Sequence, residues 1–170
     1  MSETLYIVDG YNILHALFRD AGKEEIFARR DWLADRLASF AAVRGAKAVL
    51  VFDGHGPQSS SCVPIPGVPV EVCFAGGRFT ADTLIARRIA EQSADIAVVV
   101  VSADQEVQRT AARAGVSRMT PRELGEELLD ADSGQALDSA QDSTTMLSRL
   151  EDKVDPETLR KLEEMRNKPK

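Results

Sequence analysis

Leu5-Tyr6-Ile7-Val8-Asp9-Gly10-Tyr11-Asn12-Ile13-Leu14 is an apolar run closed by an acid and a glycine, after which the apolar residues change their spacing. Thr4 to Val8 has the unbroken apolar character of a strand buried on both faces, and Gly10 to Phe18 reads as a short helix. A strand that hands directly to a helix is the first half of a βαβ unit. The pattern recurs downstream. Glu24 to Arg44 reads as one long helix with Ile26, Leu33, Leu37, Phe40 and Ala41 on one face, stopped by Gly45. Strands are expected at Lys47 to Phe52, Val68 to Phe74, Ile96 to Val101 and Val116 to Met119, and helices at Thr80 to Gln92 and Asp104 to Ala114. Parallel strands need long crossovers, so the alternation predicts an α/β fold with a mainly parallel sheet flanked by helices.

Two stretches break the pattern. Gly54 to Gly67 is rich in Gly, Pro and Ser and reads as a long exposed loop, a length often tied to function in compact domains. After Asp130 the composition turns small and polar, so residues 1–130 are read as the domain and 131–170 as a linker (Ala131 to Thr145) with a weakly helical tail. Met146, Leu147 and Leu150, and then Leu159, Leu162 and Met165, form two apolar faces too short to be stable alone, and they are expected to bind a partner or a second copy.

A chain of 170 residues with 44% hydrophobic composition suits one core and excludes collagenous, low-complexity and disulfide-stapled classes. Its net charge of -6 argues against a protein that coats nucleic acid indiscriminately, although a local cleft on an acidic protein can still be positive. The longest apolar run, Ile96 to Val101, is far short of the roughly 20 residues a membrane helix needs. Without a basic, then long apolar, start, the chain is expected to be cytoplasmic and away from membranes. Cys62 and Cys73 are accordingly expected as reduced thiols.

The acids carry the chemistry. Asp9 closes the first strand, Asp53 the second, and Asp104 lies just past the Ile96 to Val101 strand, so all three should gather at the carboxyl edge of one sheet. Asp82, in the first turn of a helix that follows Gly76-Gly77, joins them. Any one of these is equally well a helix cap or turn former. Together they would raise one another's pKa, and a divalent cation relieves that. Hard oxygen ligands with room for water suit Mg²⁺ or Mn²⁺ rather than zinc. Asp9 and Asp104 are expected to bind the ion, Asp82 to bind it or its water, and Asp53 with Asn12 to hold those groups in place. Ser102, a short polar group beside them, can orient a carboxylate or a metal-bound water and is a candidate substrate contact.

Tyr6-Ile7-Val8-Asp9-Gly10-Tyr11-Asn12-Ile13-Leu14, Val51-Phe52-Asp53-Gly54, Phe74-Ala75-Gly76-Gly77 leading into Thr80-Ala81-Asp82, and Val101-Ser102-Ala103-Asp104 resemble the YacP-like group of the NYN branch of PIN-like nucleases. The resemblance runs over roughly residues 4 to 130, through Pro121-Arg122-Glu123-Leu124. It implies a PIN-like three-layer fold and a metal-dependent endoribonuclease, with Asp9, Asp82 and Asp104 at the family's acidic positions and Asn12 and Asp53 at its auxiliary polar ones. Some members act on mRNA at the ribosome, which implies single-stranded RNA, in particular mRNA, as substrate and the ribosome as a setting. Related sequences often carry a Glu one turn after the Thr-Ala-Asp aspartate. Ala86 stands there, which implies one firmly held ion rather than two.

Substrate contact is expected from Arg78, at the mouth of the site, then from Arg87 and Arg88, whose guanidinium groups can fork onto phosphate oxygens. Tyr11 is a candidate for stacking a splayed base, Phe79 is expected to pack inward, and His55 lies in the loop beside Asp53. His15 reads as a surface or packing residue. A phosphoacceptor signalling domain also groups acids at strand ends, but it needs paired acids after the first strand and a lysine closing the last, and neither is present. A non-catalytic RNA- or ribosome-binding adaptor on the same fold is the alternative function, and a homo-oligomer is compatible with either.

Overall fold

The computed structural model describes residues 3–54 and 59–135. The chain runs β1 (Thr4–Asp9), α1 (Gly10–Leu17), α2 (Lys23–Ala28), α3 (Arg30–Arg44), β2 (Lys47–Asp53), β3 (Ser61–Pro64), β4 (Val70–Ala75), α4 (Ala81–Ala90), β5 (Ala97–Val101), α5 (Gln105–Arg113), β6 (Ser117–Met119) and α6 (Pro121–Gln135). One compact unit spans Met1–Ala131 and a second Asp132–Lys170. The tail helices expected around Met146 to Leu150 and Leu159 to Met165 lie outside the described residues.

The sheet has six strands in the order β3-β4-β2-β1-β5-β6. Every pairing is parallel except β3 with β4. β1 is central because its residues are apolar on both faces: Ile7 and Val8 are fully buried. Tyr6 and Val8 join the core formed with Ile13, Leu14, Leu33, Leu37, Phe40, Leu124 and Leu128 from α1, α3 and α6. Leu5 and Ile7 face the other way, into a second core with Leu84, Ile85 and Ile89 of α4 and Val107 and Ala111 of α5. Burying one such side chain contributes roughly 1.5–3 kcal/mol, so these two layers fix the strand register. The result is the expected three-layer arrangement. The chain goes one way from β1 to β2 and crosses back from β4 to β5. The two directions diverge at β1, the usual place for a ligand crevice beyond the carboxyl ends of parallel strands.

Four local expectations are corrected. The single helix over Glu24 to Arg44 is two, because Arg29 leaves helical geometry at φ -88 and ψ 1 and stacks its guanidinium over Phe18 at 3.9 Å. The loop from Gly54 to Gly67 contains β3, which the Pro-rich composition hid. Cys62 and Cys73 are joined in a disulfide, because the β3–β4 register sets them directly opposite each other with Cα atoms 4.0 Å apart. Finally, residues 131–135, the start of the stretch read as a linker, are helical in α6, and the rest of that stretch lies outside the described residues. Among the described residues no helix is long and apolar enough to cross a membrane.

Candidate active site

Each acid reaches the carboxyl edge through its own element, and three of them hold the start of a helix on arrival. Asp9 ends β1, caps α1 and accepts from the Asn12 amide at 3.3 Å. Asp53 ends β2 and accepts from the Ala81 amide of α4 at 2.7 Å. Asp104 caps α5, accepting from the Glu106 and Val107 amides at 2.8 and 3.1 Å through one oxygen. The capping and the chemical readings therefore coexist: an oxygen that pins a helix start orients the carboxyl that bears it. Asp82 stands half-buried in the first turn of α4, whose N-cap Thr80 accepts from Thr83. The turn before it needs Gly77, whose φ of 67° disfavours any side chain.

Gly10 is required for a different reason. A Cβ there would collide with the Phe52 ring, so only glycine lets α1 start against β2 directly behind Asp9. Asn12 then ties the two sides of the site together. Its side-chain oxygen accepts from the Ala103 amide at 2.7 Å and faces the Ser102 hydroxyl at 3.4 Å, and that hydroxyl accepts from the Asp104 amide at 3.1 Å. Ser102 is therefore a buried brace, 1% exposed, rather than a group that touches substrate.

The electrostatics identify Asp9 as the centre. It is 5% exposed, and burial pushes its pKa from 3.8 up to about 7, helped by the charges of Asp82, Asp53 and Asp104 against the Asn12 amide, which lowers it. Burial, then Asp104 and Asp53, also raise Asp82. The charges of Asp53 and Asp104 thus reach both Asp9 and Asp82. A hard divalent ion is the group that such a donor set fits. Among the described residues the one trio of ligand atoms within 4.8 Å of one another is Cys62, Glu71 and Cys73, and its two sulfurs are spent on the disulfide. The aspartates are spaced more widely than that.

The remaining candidates separate cleanly. Arg78 is exposed in the turn before α4, and Phe79 beside it is 48% exposed, against the expectation that it packs inward. Tyr11, expected to stack a base, instead sets its ring edge-on against Phe52 at 5.0 Å and Phe27 at 5.6 Å, and its hydroxyl oxygen is covered. Tyr11 is enclosed by the Phe27 and Phe52 rings, whereas the turn at Phe79 is left exposed among the described residues. Arg87 is in the last turn of α4, paired with Glu91 at 2.9 Å, and Arg88 is paired with Glu71 at 3.0 Å, so neither is brought to the acids. His15 is exposed on α1. His55 lies outside the described residues. A depression of about 470 Å³ opens at the opposite, amino edge of the sheet, but its charges are already matched, Lys47 to Glu3 and Arg88 to Glu71. The four acids lie at the carboxyl edge instead. Arg30, not among the sequence candidates, packs between the Phe27 and Phe74 rings on the α3 side of that edge.

A family model described as YacP-like NYN domain matches residues 6–167, beyond the point near residue 130 where the residue-level resemblance stops. The chain is similar to the crystal structure of Rae1 (YacP) from Bacillus subtilis, with 23% identity and a TM-score of 0.63 over 95% of this chain and 94% of that one. A tryptophan-to-leucine mutant of the same protein matches with 26% identity and a TM-score of 0.62 over 76% of this chain and 77% of that one. No curated protein matches.

Proposed function

Since the chain belongs to the YacP-like NYN domain family, a family of PIN-like nucleases, we propose that it is a metal-dependent endoribonuclease that cuts single-stranded RNA by hydrolysis at the Asp9 cluster. The observation that carries this reading is the convergence of Asp53, Asp82 and Asp104 on a buried Asp9 whose ionisation burial opposes. When bound, Mg²⁺ or Mn²⁺ supplies charge neutralisation and Lewis acidity for attack of water on the phosphodiester. The chain's own residues do the rest. Asp9 and Asp104 hold the ion, Asp82 holds it or a water beside it, and Asp53 fixes the first turn of α4 and with it the position of Asp82. Asn12 locks β1 to the β5–α5 junction, so Asp9 and Asp104 keep one separation. Arg78 offers a guanidinium to a substrate phosphate, and Phe79 an exposed ring face to a base, which is how single strands are commonly gripped.

Messenger RNA and a ribosome-linked, cytoplasmic setting are the substrate and location we propose, on the strength of the family resemblance. The test is cleavage of a pool of single-stranded RNAs by the full chain with Mg²⁺ or Mn²⁺ and with excess chelator. Internal cuts that stop in chelator are expected. Undiminished cutting in chelator refutes the metal site, and RNA binding with no cutting in either ion favours the adaptor.

A further inference from the structure

Arg30 is held at the edge of the sheet in a way that a solvated arginine is not. It is the first residue of α3, and its Nε donates to the Phe27 carbonyl at 3.1 Å. The guanidinium carbon lies 5.4 Å from the centre of the Phe27 ring and 5.6 Å from that of Phe74. Phe74 is the penultimate residue of β4 and stacks on Phe52 at 5.7 Å, one residue before Asp53. Tyr11, packed on Phe27 and Phe52, has a hydroxyl that senses both the Arg30 charge and that of Asp53. These contacts set the guanidinium at the carboxyl ends of β2 and β4, on the sheet face opposite α4 and the Arg78–Phe79 turn.

Its charge is also unspent. Arg29, Arg44, Arg87, Arg88, Arg109 and Arg122 each pair with a glutamate, whereas Arg30 makes no ion pair among the described residues. Aromatic faces hold a guanidinium in place without neutralising it, so its charge, and the donors not given to the Phe27 carbonyl or turned to the Tyr11 hydroxyl, stay directed and available. A polyanion that approaches four carboxylates needs fixed positive charge close by, and phosphate is the group this fork matches.

We propose that Arg30 binds a phosphate flanking the scissile one, so that the RNA strand crosses the β2–β4 half of the carboxyl edge between Arg30 and the Arg78–Phe79 turn. This rests on the ribonuclease reading above. It makes Arg30 a substrate-positioning residue, one that acts on binding and not on the bond-breaking step.

The test compares wild type with Arg30→Gln and Arg30→Lys. Binding of a short 5′-labelled single-stranded RNA is followed by fluorescence anisotropy in chelator across a salt series, and cleavage of the same RNA is followed in Mg²⁺. Arg30→Gln is expected to weaken binding about tenfold and to reduce the slope of log affinity against log salt by about 0.7, one phosphate contact on a single strand. KM should rise with kcat changed less than about twofold. Arg30→Lys should keep the salt slope and lose part of the affinity, because the charge remains and the fork does not. A purely structural role leaves the slope unchanged, so an unchanged slope in Arg30→Gln overturns the proposal, as does a fall in kcat at constant KM. Wild type that binds RNA with an Arg30-dependent slope and never cuts overturns the nuclease reading and supports the contact. Wild type that binds no RNA, with or without ion, overturns both.

Discussion

Replacing Asp9 by Asn separates the cost of a buried charge from the benefit of a helix cap. In the folded protein the Asp9 carboxyl has a pKa of about 7, chiefly from burial, against 3.8 for the free group. The folded state therefore keeps a proton that the unfolded chain releases. Stability from this group is present below pH 3.8 and drains away as pH rises to about 7, after which it is level. A gap of roughly 3 pKa units at 1.36 kcal/mol each gives about 4 kcal/mol of strain in the ion-free protein at pH 8. Asparagine is close in shape, carries no charge and caps helices as well as aspartate does, so the Asn12 amide keeps its acceptor. In excess chelator at pH 8, Asp9→Asn should be more stable than wild type by about 2–4 kcal/mol, or ~5–15 °C in melting temperature. Toward pH 4 the two should converge. Added Mg²⁺ should raise the melting temperature of wild type and leave the variant where it was, because a ligand stabilises only the form that binds it. Thermal melts at pH 5 and pH 8, with chelator and with Mg²⁺, read all four quantities. If the variant melts below wild type at pH 8 in chelator, or if the gap between them is the same at both pH values, Asp9 is a cap and its charge does no chemistry.

Asp82→Asn and Asp104→Asn should each lower the cleavage rate at least about a hundredfold, the scale of losing one group that acts in the transition state, while the circular dichroism spectrum stays that of wild type. Unchanged rates in either would remove that residue from the site. Phe79→Ala should raise KM for single-stranded RNA by about tenfold, near the ~1–3 kcal/mol of one stacked base, while Phe79→Tyr keeps it; equal values in both would mean that no base stacks there. Reducing the Cys62–Cys73 bridge, which closes a loop with a sequence separation of 11, should cost about 2–3 kcal/mol in a urea melt with and without reductant. Coincident melts would show that the bridge does not constrain the chain.

Asp9 and Asp104 were legible because each sits at a boundary that the sequence marks twice, by the end of an apolar run and by the start of helical spacing. Asp53 is marked by the end of its apolar run alone, and the parallel sheet then brings the three to one edge without any detail of packing. What escaped depended on distant partners. β3 has four residues, two of them beside a proline or a cysteine, and no period long enough to register; without β3 the opposition of Cys62 and Cys73 had no basis. The break at Arg29 has neither glycine nor proline to announce it. Tyr11 and Phe79 were assigned each other's environments because an aromatic ring at a loop or helix start is buried or bare according to what the rest of the chain lays over it. Nothing local to Arg30 marks it, because Phe74, one of the two rings beside its guanidinium, comes from a strand more than forty positions away.

The bond between Asn12 and the Ala103 amide joins residues 91 apart in sequence, and the one between Asp53 and Ala81 spans 28. Contacts of such separation form late, because the closure entropy of the intervening chain must be met before they return anything. β1 acquires its second neighbour only when β5 exists, so a chain emerging from synthesis carries Asp9 and Asp53 long before it carries an assembled cluster. Assembly of the cluster is thereby deferred to the completion of the sheet. A half-made molecule holds Asp9 and Asp53 but lacks the arrangement of the finished carboxyl edge.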